Sequence, residues 1–332
     1  MKLSFIASDL LGGGCLRSIW PANALIEQGH KAEVRIWDWP APTDNYDAVI
    51  MHRPLSKFQP RQLKRYIEAG MKVWVDEDDD LTRVLETDNE IGKMVWTPEA
   101  QDMHDWAIEN ASGLLVSTQP LKDIYGKLNP NVHICRNYVP RWIQNIKFFG
   151  RGSQVRVGWA GITMTHAHDL RWLSPFSSLA FRGAIFTTVG DVATMRHLRV
   201  DGDSEWFPFQ WEMAALYQLM ARADIGIVPL DPMDFNRSKS WLKALEYMTL
   251  GKPVVVTNLP EQALLIEQGV QGFLADTPQE FAEYVQLLVH DQGLRETMGR
   301  AAKEKAASLA IEKSLGQWEV ALGEKEKANA GS

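Results

Sequence analysis

The residues best suited to chemistry lie in four loops, and the longest of these segments is Pro229–Val256, PLDPMDFNRSKSWLKALEYMTLGKPVVV. A helix over 238–250 would place Lys239, Lys243 and Glu246 on one face, because they are spaced four and three residues apart. Lysines at a helix start oppose its dipole, so they are poor choices for structure alone. Beside a diphosphate they would be paired. Glu246 on that face can accept two hydrogen bonds from a ribose diol. Asn236 and Ser240 belong to the same polar stretch.

The loop Asp9–Arg17 holds Gly12, Gly13 and Gly14 ahead of a helix, a pattern that lets a ligand approach main-chain N–H groups at a positive helix end. Its spacing is not GxGxxG, and the chain has no Gly-Lys-Ser/Thr of a P-loop, so a dinucleotide fingerprint is unsupported. The loop Val75–Leu81 contains five consecutive carboxylates, Asp76 to Asp80. Such a run needs a reason outside itself: a metal, a base, or hydrogen bonds to sugar hydroxyls. Adjacent carboxylates fan outward rather than converge, which disfavours a metal. In Gly158–Leu170, Gly161 frees the backbone, Thr163 or Thr165 is placed to cap a helix, and His166 and His168 flank its positive end. This reads as a phosphate site more than a zinc site, since no third ligand has suitable spacing.

These loops need strands behind them. Apolar runs at Leu3–Ser8, Ala32–Trp37, Asp47–Met51, Met71–Val75, Gly113–Ser117 and Val132–Cys135 read as strands, with helices at 16–28, 59–69, 99–110 and 119–127. After a helix-poor stretch, 137–152, the alternation restarts. Strands follow at Val155–Trp159, Ala184–Val189, Asp224–Pro229 and Pro253–Thr257, and helices at 167–180, 211–222, 238–250 and 278–290. Continuous apolar strands alternating with helices indicate an α/β class: two doubly wound, Rossmann-like parallel domains. The expected boundaries are 1–150, 151–310 and a helix and tail, 311–332, packing back on the N-terminal domain; residues 296–327 read as helical. Ligands bind beyond the carboxyl ends of such strands, so two facing domains would form a cleft.

Composition narrows the class further. The chain has 332 residues, 45% hydrophobic and 23% charged, which excludes disordered, collagen-like and disulfide-scaffold proteins. A net charge of −7 argues against a general nucleic-acid binder. Basic runs nevertheless occur: six bases and one acid over 53–72, and five bases with no acid over 136–156. Cys15 and Cys135 imply no disulfide framework. No signal peptide or membrane span is visible, so a soluble, cytoplasmic protein is expected. Thirteen tryptophans stand out. Trp37, Trp74 and Trp159 fall at strands and Trp106, Trp172 and Trp211 at helices, while Trp39 and Trp96 lie in loops and Trp241 beside the Lys/Glu face.

Glu246-Tyr247-Met248-Thr249-Leu250-Gly251-Lys252-Pro253-Val254-Val255 resembles the signature of retaining GT-B glycosyltransferases of the family-4 group, in which a helix glutamate binds the ribose of a nucleotide sugar. The form F-N-x-x-K-S-x-x-K-x-L-E-Y and the Thr165-His166/Asp169-Leu170 pattern resemble a divergent branch of it. The chain departs from the family's E-x7-E motif, for Ser238 stands at the first glutamate and Ser240-Trp241 replace the usual Phe-Gly.

The resemblance implies a metal-independent hexosyl transfer from a UDP- or GDP-sugar to an acceptor hydroxyl, with no further cofactor. It assigns catalytic roles to Asp78, His166 and Lys239. Donor binding falls to Gly13, Gly14, Gly161, Asn236, Ser240, Lys243 and Glu246, and acceptor binding to Arg17, Asp76 and Arg53. It implies a monomer or homodimer without membrane insertion. Two alternatives stand beside it. One is a phage-type enzyme that glucosylates hydroxymethylated DNA bases in the host cytoplasm, using the basic runs and Trp142 or Phe148. The other is a nucleotide-sugar-binding protein that has lost catalysis, suggested by Ser238.

Overall fold

A computed structural model describes residues 1–9, 12–36, 39–41, 44–54, 58–148, 154–200 and 202–323, with backbone only for 58–60 and 91. Leu10 and Leu11 of the first loop, Trp37, the junction expected at 150 and the tail beyond 323 lie outside the described residues. The chain forms two compact units. The first comprises Met1–Leu81, Met94–Pro140 and Ile311–Ser332; the second comprises Thr82–Lys93 and Arg141–Ala310. The chain therefore leaves the first unit twice, briefly after Leu81 and again after Pro140.

The first unit is built on six parallel strands: β1 (Lys2–Ile6), β2 (Lys31–Arg35), β3 (Ala48–His52), β4 (Val73–Glu77), β5 (Gly113–Val116) and β6 (Val132–Ile134). Their order is β2-β1-β3-β4-β5-β6. The direction of winding reverses between β1 and β3, which pair Leu3 with Ala48 through Ile6 with Met51. Loops leaving those two strands diverge and leave a crevice at their carboxyl ends. The inner strands β3, β4 and β5 are buried along their whole length, which suits their apolar runs and leaves His52, Asp76 and Glu77 at the strand ends to find internal partners.

The second unit repeats the plan with β7 (Val155–Gly161), β8 (Ala184–Gly190), β9 (Ser204–Pro208), β10 (Ile225–Val228), β11 (Val254–Thr257) and β12 (Gly272–Ala275). The order is β12-β11-β10-β7-β8-β9, so the reversal falls between β7 and β10. Gly226 on β10 lets the helix Leu242–Thr249 lie close, for a Cβ there would sit 2.4 Å from the Tyr247 ring. That close approach fixes where Glu246, one residue earlier, can stand. Helix starts follow local rules: Thr97, Thr118 and Thr277 each accept a hydrogen bond from a backbone N–H three residues on, with proline in the first turn. Among the described residues no helix is long and apolar enough to cross a membrane.

Several elements differ from the sequence expectation. β9 reads SEWFP with alternating, largely exposed residues, so it lacks the apolar run that marks its neighbours. It is an edge strand and needs only one buried side. The helix expected over 296–327 is interrupted: Gln292–Ser308 ends, Ala310 and Ile311 bury, and a separate helix, Gly316–Leu322, follows. The helix expected at 16–28 opens as a π-helical turn, Cys15–Ile19, before Trp20–Glu27. Trp211 lies before the helix Met213–Met220 rather than in it, and is 62% exposed.

The C-terminal segment is integral to the first unit. Ile311 N donates to Val139 O at 3.0 Å and Arg136 N to Gln317 Oε1 at 3.0 Å. Trp318 is 1% exposed, with its ring 5.9 Å from that of Phe5 and 5.1 Å from the Arg17 guanidinium carbon. Truncating so large a buried ring costs about 3–5 kcal/mol. Trp318→Ala should therefore shift the urea unfolding midpoint of the first unit markedly downward; an unchanged midpoint would show that this helix is docked without consequence.

Candidate active site

In the first unit the Gly-rich loop is folded down onto the ends of β3 and β4. Gly14 N and Ser8 Oγ donate to Asp9 Oδ2 at 3.2 and 2.9 Å. A Cβ on Gly13 would lie 2.8 Å from the His52 ring, so only glycine permits this approach. His52 is fully buried between Ser8 Oγ, 2.8 Å from its Nδ1, and Asp78 Oδ1, 3.2 Å from its Nε2. Arg53 Nε donates to the same Asp78 oxygen at 2.8 Å, and its Nη2 donates to Asp78 and to Asp79 Oδ2, the latter at 2.6 Å. Arg53 reaches them from a backbone with φ +46°.

The run of carboxylates is thus answered residue by residue. Arg17 Nε and Nη2 each donate to Asp76 at 2.7 Å, and Arg17 Nη1 donates to Asn137 Oδ1 at 2.9 Å and to Cys135 O. Glu77 Oε1 lies 3.0 Å from His104 Nε2, both side chains being fully buried. Arg17 and Asp76 are 1% and 0% exposed. They form an internal bidentate pair, which removes them from the acceptor-contact role that the resemblance implied; Arg53 stays half-buried at the rim.

Burial opposes ionisation of Asp78, yet Arg53, His52 and Arg17 hold its carboxyl well below the usual carboxylate range. At neutral pH Asp78 is a permanent hydrogen-bond acceptor and a poor proton-abstracting base. Its Oδ2 makes no hydrogen bond within the described residues and lies on the Gly13 side.

In the second unit the β7/β10 reversal brings the third and fourth loops together. Asp169 is buried and accepts from Asp231 N at 2.9 Å and Asn236 Nδ2 at 2.6 Å, while His166 Nδ1 lies 2.8 Å from its second oxygen. Desolvation resists its charge, but His166 and His168 keep the Asp169 carboxyl below its ordinary value. His166 sits at a kink, φ −135° and ψ 17°, with its ring edge-on to Trp159 and its side chain 30% exposed.

At the positive helix end near Gly161 the first amide already has an internal partner. Ile162 is the cap position, and Asp191 from the end of β8 accepts from Thr163 N at 2.7 Å and from its hydroxyl. An internal carboxylate holds the place in which a phosphate was expected. Gly161 packs against the Trp159 ring.

The Lys/Glu face is shorter than the spacing predicts. Asp234–Arg237 forms its own turn, so the helix begins at Leu242 and Lys239 precedes it. Lys239 Nζ stands 4.7 Å above the Phe235 ring. Lys243 Nζ lies 2.6 Å from Glu246 Oε2, and Tyr217 donates to Glu246 Oε1 at 2.7 Å. Glu246 is 3% exposed. Ser240 O accepts from Gln262 at 3.4 Å; Ser238 is buried and its hydroxyl donates back to Phe235 O at 2.8 Å. His52, Asp191, Tyr217 and Asp231 were not singled out by sequence, because their importance lies in partners 26 to 62 residues away (such as Asp78 for His52 and Asp169 for Asp231) that no local pattern links.

Two of the bases in the basic runs are internally paired, and the described aromatics near them are packed. Arg53 is paired with Asp78 and Asp79, Arg156 Nη2 lies 3.1 Å from Glu205, and the Phe148 ring is covered by Arg222 at 4.6 Å. Trp142 meets Tyr217 edge-on. Among the described residues, no group of three or more His, Cys, Asp or Glu side chains is arranged to hold a metal ion.

Residues 170–291, which contain the fourth loop and the helix bearing Glu246, match the family model of glycosyl transferases group 1. HepE from Anabaena, solved with UDP, superposes with a TM-score of 0.68, covering 97% of this chain and 99% of its own, at 15% identity. The fold is GT-B. Sucrose-phosphate synthase from Thermosynechococcus elongatus gives 0.65 at 14% identity, covering 97% of this chain and 98% of its own. A glycosyltransferase from Rickettsia africae gives 0.63 at 13% identity, with 97% and 98% covered. No curated protein matches the chain in sequence. The GT-B architecture accounts for the two six-stranded units and for the loaded loops standing at the carboxyl ends of their strands.

The buried Glu77–His104 pair makes a checkable statement about pH. Desolvation would lower the His104 value, but Glu77 and Asp105 outweigh it and push it up to about 9. A raised folded value means the stabilisation is fully present below about 6.5, the unfolded histidine value, and is lost as pH rises through about 9. The fall in stability between these pH values, measured by urea unfolding, should disappear in His104→Gln; persistence of the same slope would remove His104 as its source.

Proposed function

We propose that the protein is a glycosyltransferase that moves a hexosyl group from a nucleotide sugar to an acceptor hydroxyl, with retention and without a metal. The second unit would hold the donor and the first would present the acceptor. The observation that carries this reading is Glu246, a buried carboxylate held by Tyr217 and Lys243 within the segment matching glycosyl transferases group 1 on a GT-B fold. Related architectures support the donor class: HepE has been solved with UDP-glucose.

The chemistry follows from charge. Breaking the bond between the sugar and the diphosphate leaves negative charge on the leaving oxygen and positive charge on the sugar ring. Lys243 and Lys239 supply cations on the leaving-group side, where fixed charges act without a reorganisation cost. His166, held by Asp169, is the further polar group offered by the loop after β7. When a ribose diol binds, its hydroxyls share Glu246 while Lys243 turns to the diphosphate. In the first unit, Asp78 Oδ2 is free to accept a hydrogen bond from an acceptor hydroxyl but is too acidic to act as its base; over the whole reaction that hydroxyl's proton ends on the released diphosphate.

A thermal-shift panel of UDP- and GDP-sugars tests the donor site. At a hundredfold excess over its dissociation constant, the correct donor should stabilise the wild type by about 2.7 kcal/mol. Glu246→Ala should lose that response. The reading fails if no nucleotide sugar stabilises the wild type, or if Glu246→Ala responds equally.

A further inference from the structure

The corner where the loops after β7 and β10 meet contains two carboxylates with opposite circumstances. Asp169 is saturated: the Asp231 amide, the Asn236 amide and His166 all point to it. The Asp231 side chain, half-buried beside it, has no hydrogen bond or ion pair among the described residues, although its backbone is held at both ends. Its N–H donates to Asp169, and its carbonyl accepts from Asn236 Nδ2 at 2.8 Å. The neighbouring loop carboxylate, Asp234, is instead paired with Arg83 at 3.2 Å and lies 3.7 Å from Arg237.

Two further side chains in this corner have polar atoms that lack hydrogen bonds among the described residues. Asn236 is fully buried, yet its Oδ1 accepts no hydrogen bond. His168 is 8% exposed and neither ring nitrogen makes a hydrogen bond; its Nε2 lies 3.2 Å from Asp169 Oδ1 without the alignment for one. A buried acceptor left empty costs about 1–3 kcal/mol, so such a group in a native protein calls for an explanation such as a missing ligand. Burial, and then the adjacent Asp169, push the Asp231 carboxyl above its ordinary value, with His168 and Arg171 pulling the other way. An arrangement that drives two neighbouring carboxyls apart in acidity is characteristic of functional sites.

We propose that Asp231, with Asn236 Oδ1 beside it, receives the hydroxyl groups of the transferred sugar. Both present acceptor oxygens without donors, and sugar hydroxyls bring donors. A cation is the poorer match, because the Asp169 oxygens already take N–H donors and leave one free carboxylate. His168 completes the corner with ring nitrogens available to a hydroxyl. This inference rests on the nucleotide-sugar reading and adds to it the residue that recognises the sugar as distinct from the nucleotide.

The test is calorimetric titration with UDP, GDP and their glucose and mannose conjugates, comparing wild type, Asp231→Ala, Asp231→Asn and the neighbouring Asp234→Ala. Asp231→Ala should weaken the nucleotide sugar at least tenfold and the bare nucleotide less than twofold, with Asp231→Asn in between and Asp234→Ala unchanged. Melting temperatures of the variants within about two degrees of wild type would confirm intact folding; Asp231 loses no internal partner on substitution. Equal weakening of nucleotide and nucleotide sugar, or no weakening of either, overturns the assignment. A wild type that binds none of these ligands overturns the nucleotide-sugar reading itself, and that result appears before any variant is made.

Discussion

In the second unit the candidate site depends on one buried carboxylate. Strand order reverses between β7 and β10, so the chain arrives at that crevice by two separate loops with no sequence continuity between them. Asp169 bridges the gap by accepting from the Asp231 and Asn236 amides of one loop while orienting His166 on the other. A charge so deeply buried is costly unless donors surround it. Those donors are the same groups that set the shape of the loop after β10, so the loop conformation and the ionisation of Asp169 support each other. Everything downstream, including the turn Asp234–Arg237 and the late start of the helix that carries Glu246, is laid out from that anchor.

The first unit solves a related problem differently. Five adjacent acids would drive the end of β4 apart, and the fold brings cations from three separate elements to four of them. Arg17 comes from the π-helical turn, Arg53 from just after β3, and His104 from the helix Pro98–Asn110. The run is therefore a convergence point for much of the unit rather than an exposed acidic face. Of the four carboxylates whose ion pairs are described, Asp78 alone meets both Arg53 and His52 and keeps an oxygen beside Gly13.

Much of the fold was legible because parallel strands covered on both faces must be continuous apolar runs, and those runs stand out between helices. Helix Pro278–His290 matches its expected limits because Thr277-Pro278 announces the start. β9 was not legible, since an edge strand with exposed alternate positions resembles a loop. The interruption at Ala310 was hidden for the opposite reason: an alanine-rich, charged run favours helix throughout, and only tertiary burial of Ala310 and Ile311 ends it. Trp39, read as a loop aromatic, and Trp241, read beside the Lys/Glu face, contribute to the interior; Trp241 is 6% exposed and Trp39 packs against the first unit's core.

The site was legible in its residue types and much less so in their partners. Lys243 and Glu246 emerged from helical spacing, which is local. The Asp191 carboxylate at the Thr163 amide did not, because nothing near residue 163 indicates that the end of β8 lies beside it. This has a chemical consequence. With the first amide of that helix taken from within, a diphosphate bound as proposed would draw on side chains for positive charge, and the lysines near the start of the Leu242–Thr249 helix, unfavourable on its dipole, would be paired there. Lys243 resting against Glu246 is a paired state of both groups, in which the carboxylate one turn on offsets a cation that repels its own helix.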